Sequence, residues 1–169
     1  MGGTETTVLA LDVHGGDHGL AVTVPAALAA LAAEPDLRII LVGYQQEIEA
    51  RLLGASASVR DRLDVQASSS VLPNDAKPAA VLRRGRDSSM WKAFELVAEG
   101  QAHACVSGGS TAAMMVLGVK LVDDSQEGIH FCLVKRFQFC RVFRIAREVL
   151  GWVSRYRIPV QQLIFDRLV

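Results

Sequence analysis

Residues 9–19, LALDVHGGDHG, carry an apolar run straight into a loop of glycines and acids. Val8, Leu9, Ala10, Leu11 and Val13 form a short, nearly continuous apolar stretch, the pattern of a strand buried on both faces of its sheet. In the loop, Gly15 and Gly16 can take positive φ and let backbone N–H groups approach a ligand, while Asp12 and Asp17 place charge at the carboxyl end of the strand. The same alternation then repeats. Val22 to Ala33 is alanine-rich and reads as a helix, with Pro25 in its first turn; Leu37 to Gly43 is a second buried strand. Tyr44 to Leu53 has helical spacing and stops at Gly54, and Arg62 to Ala67 is a third, weaker strand. Strand, helix, strand, helix, strand predicts right-handed βαβ units on a mostly parallel sheet, an α/β fold.

Ser68 to Lys77 is polar and turn-rich, and Pro78 starts a helix that runs to Arg83 and Arg84. Ser88 is placed to cap a helix over Met90 to Glu99, which Gly100 ends. Ala102 to Ser107 is a fourth strand, entering a second small-residue loop, Ser107, Gly108, Gly109, Ser110 and Thr111, before a helix over Ala112 to Lys120. Free N–H groups and a helix dipole favour an anion there, with Ser110 and Thr111 adding hydroxyls; the alternative is a tight βα turn with an ordinary cap. The loop is no Walker motif, because its lysine is missing. Arg83, Arg84 and Arg86, followed by Ser88 and Ser89, suit a phosphate or an acidic partner, or else a solvated helix end. His14 and His18 stand four apart, but ligand spacing of that kind needs a helix, which Gly15 and Gly16 disfavour; no metal is expected.

The formal net charge of zero conceals two differently composed segments. From residue 1 to 128 there are 10 Lys+Arg against 16 Asp+Glu, a net of −6; from 129 to 169 there are 8 against 2, a net of +6. Of the 10 aromatics, 7 lie after Gly128, whereas 13 of the 14 glycines lie at or before it. The division expected is therefore an α/β unit over 1–128 and a divergent basic, aromatic tail over 129–169, with helices at Phe137 to Leu150 and Pro159 to Leu168 or no fold at all. Such a tail suits an anionic membrane surface or nucleic acid; the reading taken is peripheral membrane contact and no nucleic-acid partner. Half of all residues are hydrophobic, yet no run reaches the length of a spanning helix, and no basic segment precedes the first apolar run as in a secretory leader. Cys105, Cys132 and Cys140 lack metal-site spacing and read as cytosolic thiols.

Several colinear stretches, ALDVHGGDHG, VTVPAALAAL, the strand ending LVG, NDAKPAAVLRRGRDSSM, AFELVAEGQAHACVSGGSTAA and EGIH, together resemble the N-terminal part of the bacterial phosphate acyltransferase family, PlsX. The resemblance covers Thr7 to His130. It implies a Rossmann-like three-layer α/β/α sandwich, commonly dimeric, cytoplasmic and peripherally attached to membrane. The implied reaction transfers a fatty acyl group from acyl carrier protein to inorganic phosphate, giving an acyl phosphate for phospholipid synthesis, without a cofactor. Carried onto the matching loops, it implies Asp17 and Ser110 as catalytic residues, and Gly15, Gly16, Ser107, Gly108, Gly109, Thr111, Arg84, Ser88 and Ser89 as phosphate- or substrate-binding. Ser110 stands where the family has asparagine, Ala112 where it has glycine, and His14 and Leu20 where it has methionine and proline. Nothing after His130 continues the family pattern, so the chain reads as an N-terminal part with a frameshifted or degenerate tail, an incomplete sheet and uncertain activity. The alternative is a non-catalytic phosphate- or partner-binding α/β module whose basic tail associates with membrane.

Overall fold

A computed structural model describes residues 6–123. Along the chain run β1 (Thr7–Asp12), α1 (Leu20–Ala33), β2 (Leu37–Gly43), α2 (Gln45–Leu52), α3 (Ala57–Arg60), β3 (Leu63–Ala67), α4 (Pro78–Arg84), α5 (Ser89–Ala98), β4 (Ala104–Val106) and α6 (Thr111–Leu117), the last leading into a π-helical segment, Gly118–Asp123. The four strands form one all-parallel sheet in the order β3-β2-β1-β4. The α/β class expected from the alternation is thus the one observed. The tail and its two expected helices lie outside the described residues.

Side chains alternate across β1 and build two cores. Leu9 and Leu11 pack with Leu37, Ile39 and Leu41 of β2 against Val24, Ala27 and Leu31 of α1 and Ile48 of α2. Ala10 and Val42 point the other way, against Ala93 and Leu96 of α5. Both faces of the central strands are covered, which is why their sequences read as continuous apolar runs. A third cluster, Val81, Met90, Trp91, Phe94, Ala113 and Leu117, joins α4, α5 and α6. No helix among the described residues is long and apolar enough to cross a membrane.

Several elements are shifted by a residue from the sequence reading, and four departures have a local reason. Helix α1 starts at Leu20 rather than Val22, so Pro25 falls beyond the first turn. The missing N–H removes a donor from the Ala21 carbonyl, a loss made tolerable because Ala21 is exposed and water can bond that carbonyl instead. Residues 57–60 form the unforeseen helix α3, a single turn too short to show apolar periodicity. Strand β4 shrinks to Ala104–Val106. The Ala102 N–H instead bonds back to the Leu96 carbonyl, and His103 pairs twice with Val8, through its N–H to the Val8 carbonyl and through Nδ1, which accepts from the Val8 N–H at 2.9 Å. Helix α6 begins at Thr111 and changes to π geometry at Gly118 instead of running regularly to Lys120.

In this strand order, β1 leads outward to β2 in one direction, and the chain returns past β1 to β4 in the other. The point of reversal lies between β1 and β4, the place beyond the carboxyl ends of the strands where open α/β sheets bind their ligands. Both glycine loops identified in the sequence emerge there.

Candidate functional site

The loop after β1 is the hub of this end of the molecule. Its anchor is Asp12, the last residue of β1 and only 2% exposed. One carboxylate oxygen, Oδ1, accepts from the His14 N–H at 3.3 Å, and the other, Oδ2, accepts from the Ser107 hydroxyl at 2.7 Å. The Ser107 Oγ in turn accepts from the Gly109 N–H at 3.1 Å. Residues 95 apart in sequence are therefore joined at the switch point.

Glycine is what lets the two loops meet. A Cβ on Gly15 would stand 2.6 Å from the Ser107 Oγ, 2.8 Å from the Gly108 N and 2.9 Å from the Gly109 N. Gly16 lies against the Gly108 carbonyl with φ +85°, in the left-handed region that side chains rarely adopt. Gly15 thus serves close loop-to-loop packing, and Gly16 also supplies the turn. The Gly108 N–H has no hydrogen-bond partner among the described residues.

The hub reaches its other neighbours through side chains. The His14 ring accepts from the Tyr44 N–H through Nε2 at 3.0 Å, and the two rings lie 4.5 Å apart. Nε2 is thus the acceptor nitrogen, leaving the proton of the neutral ring on Nδ1. Burial lowers the His14 pKa, opposed by the carboxylates of Glu47 and Asp12. Asp17 accepts from the Asn74 Nδ2 at 3.0 Å, tying the β1 loop to the segment between β3 and α4. Thr23 on α1 turns its hydroxyl back to the Val13 carbonyl at 2.8 Å.

Of the residues that the sequence singled out, Gly15, Gly16, Ser107, Gly108 and Gly109 meet directly across the two loops. Asp17 lies in the first loop and is exposed. Ser110 is buried as the cap of α6, its Oγ accepting from the Ala113 N–H at 3.3 Å, and Thr111 opens that helix. Ser88 is also a cap: it donates to the Gly85 carbonyl and accepts from the Trp91 N–H at 3.2 Å, fully buried. Ser89 is fully buried with an unpartnered hydroxyl. Its neighbour Met90 touches the second loop, since a Cβ on Gly109 would stand 2.6 Å from the Met90 Cε. Arg84 ends α4, exposed and without a hydrogen bond or ion pair among the described residues. Arg86 lies over the Trp91 ring at 5.9 Å.

Sequence reasoning named Asp12 as a charge at the strand end without a binding role, set His14 aside as a non-ligand, and missed Tyr44 and Asn74. An acid closing a buried apolar strand was a signal for Asp12. Tyr44 contributes a backbone N–H, which no sequence pattern marks. Burial, followed by the charge of Asp12, pushes the half-buried Cys105 thiol up to about 12, so little of it is thiolate at neutral pH. The arrangement offers the unpartnered Gly108 N–H and the Thr111 hydroxyl as donors to a small oxyanion at the switch point, with the exposed Asp17 carboxylate able to accept from a protonated oxygen of it. A family model described as fatty acid synthesis protein matches residues 7–130.

Proposed function

Because the chain belongs to the fatty acid synthesis protein family, as its loop motifs suggested, we propose that its paired glycine loops handle inorganic phosphate in acyl transfer from acyl carrier protein. The observation that carries this reading is the meeting of the two glycine loops between β1 and β4, with the Gly108 N–H unpartnered. In the reaction, a phosphate oxygen attacks the thioester carbonyl carbon, the C–S bond breaks, and the carrier's thiolate leaves and is protonated. The product is an acyl phosphate, and no covalent bond to the protein forms.

What the chain contributes is placement and charge stabilisation. The backbone N–H of Gly108 and the hydroxyl of Thr111 would hold phosphate, with Gly109 and Ser107 fixing the loop that presents them, and Ser110 retains its own proton to donate while its oxygen caps α6. Asp17 keeps Oδ2 available while Oδ1 accepts from Asn74; its role would be to orient phosphate by accepting a proton from the monoanion. Arg84, Ser88 and Ser89 stay proposals of a second rank, acting through α5 and the end of α4. A homodimer and peripheral membrane contact are proposed with the family reading.

The test is to incubate the purified full-length chain with acyl carrier protein thioester and phosphate, and to trap acyl phosphate with hydroxylamine. Phosphate-dependent hydroxamate formation that disappears in Asp17→Ala supports the reading. Saturable phosphate binding without turnover would favour the non-catalytic binding module, and neither binding nor turnover would reject both.

A further inference from the structure

We infer that Asp12 is the positioning residue of the two-loop site, one buried carboxylate that sets both glycine loops and, through Ser107, aims the backbone of Gly108 and Gly109. This rests on the phosphate reading above and deepens it. Asp12 ends the central strand, and its two oxygens are divided between the loops: Oδ1 takes the His14 N–H and Oδ2 takes the Ser107 hydroxyl. No cation pairs with it among the described residues. A buried carboxylate held by hydrogen bonds without a cation is still costly, so an apolar residue would end β1 with less penalty.

What the carboxylate does here is accept at two places at once. A carboxylate has no proton to offer, so the Ser107 proton must point toward Asp12. The Ser107 lone pairs are then left to receive the Gly109 N–H, which fixes the peptide planes on either side of Gly109. An asparagine at position 12 could accept from only one loop: its amide N–H would have to donate to the Ser107 Oγ, turning the hydroxyl proton away and taking one of the two lone pairs that now serve the Gly109 N–H. Donation therefore runs from Gly109 through Ser107 to Asp12, where it meets the His14 N–H donating from the other loop. Close packing of Gly15 on Ser107, Gly108 and Gly109 transmits any shift of one loop to the other.

The experiment compares the full-length chain with Asp12→Asn, Ser107→Ala and the double variant. The Gly109 amide signal and its hydrogen exchange are followed without ligand, and inorganic phosphate binding is followed by titration. Each single variant is expected to shift and deprotect the Gly109 amide and to weaken phosphate binding roughly tenfold or more, with the double variant no worse than either, because one relay is being cut. A Gly109 amide unchanged in Asp12→Asn, or effects that add fully in the double variant, would overturn the inference. If the unmodified chain does not bind phosphate, the phosphate reading falls, and the Gly109 amide alone decides for or against the relay. Should Asp12→Asn fail to fold, Ser107→Ala removes only a hydroxyl and decides in the same way.

Discussion

Arg62 shows how much one side chain can fasten. Its guanidinium donates to the carbonyls of Leu31, Glu34, Pro35 and Leu37, and its Nε to that of Ser58, joining the end of α1, the start of β2 and α3. These carbonyls include helix-end acceptors that would otherwise lack partners. Arg62→Ala is expected to cost about 2–3 kcal/mol in urea unfolding, and Arg62→Lys to restore only part, since a lysine cannot span the same fork. At the other end of the sheet, Gly15→Ala would drive a Cβ into backbone atoms of the second loop. Opening that contact is expected to destabilise the chain by about 1–3 kcal/mol and to weaken phosphate binding, which a paired unfolding and titration measurement checks. His14 adds a pH dependence whose sign follows from its lowered pKa. Between its folded value and the ordinary 6.5 the unfolded chain binds more protons, so this contribution is fully present above 6.5 and is lost as pH falls through the folded value. The urea midpoint of the unmodified chain should therefore drop more on going from neutral to mildly acidic pH than that of His14→Gln, and equal drops would remove His14 as the cause.

Among the elements, legibility followed local punctuation. Strand β2 and helix α4 occupy the residues the sequence marked, because β2 is an apolar run closed by Gly43 and α4 opens on Pro78 with basic residues in its last turn. Ser88 was recognisable as the α5 cap for the same reason, a serine just before an amphipathic run. Less visible was what else that residue does. Its N–H and hydroxyl both return to the Gly85 carbonyl, and the Ser89 N–H bonds the Ser70 carbonyl, so the start of α5 is stitched to the segment after β3. Ser88→Ala removes the cap and leaves the buried Trp91 N–H without its acceptor. A loss of about 1–2 kcal/mol is expected, read from the urea midpoint at unchanged slope. A smaller loss would mean that α5 is held by its packing on the sheet and not by its cap. The π-helical turn after α6 had no sequence signal, because Gly118 and Val119 carry no feature that separates one helical spacing from another.

At the scale of the molecule, strand number and direction were legible, but strand order was not. Alternating apolar runs say that strands are parallel, whereas only the long-range pairing puts β1 between β2 and β4. The Asp12 to Ser107 link was hidden for the same reason, since it depends on that adjacency and on nothing near either residue in sequence. The order also predicts unequal resistance to opening. Strand β1 is paired with β2 over six residues and with β4 over only three, Leu9 to Leu11 against Ala104 to Val106. Among the described residues, β4 has no partner on its far side. Detaching β4 breaks few ladder bonds and exposes little surface, so it should occur below the free energy of global unfolding. Cys105 sits in that strand, half-buried and with its thiol pKa raised, and should react with a thiol reagent much faster when β4 leaves β1. Labelling followed by peptide mass spectrometry isolates it from the other two cysteines. The rate at Cys105 is expected to rise with urea less steeply than the global transition seen by circular dichroism, because the slope scales with the surface exposed. Equal slopes would mean that the relay from Asp12 to Ser107 binds β4 into the same cooperative unit as the rest of the sheet, and Ser107→Ala should then separate the two.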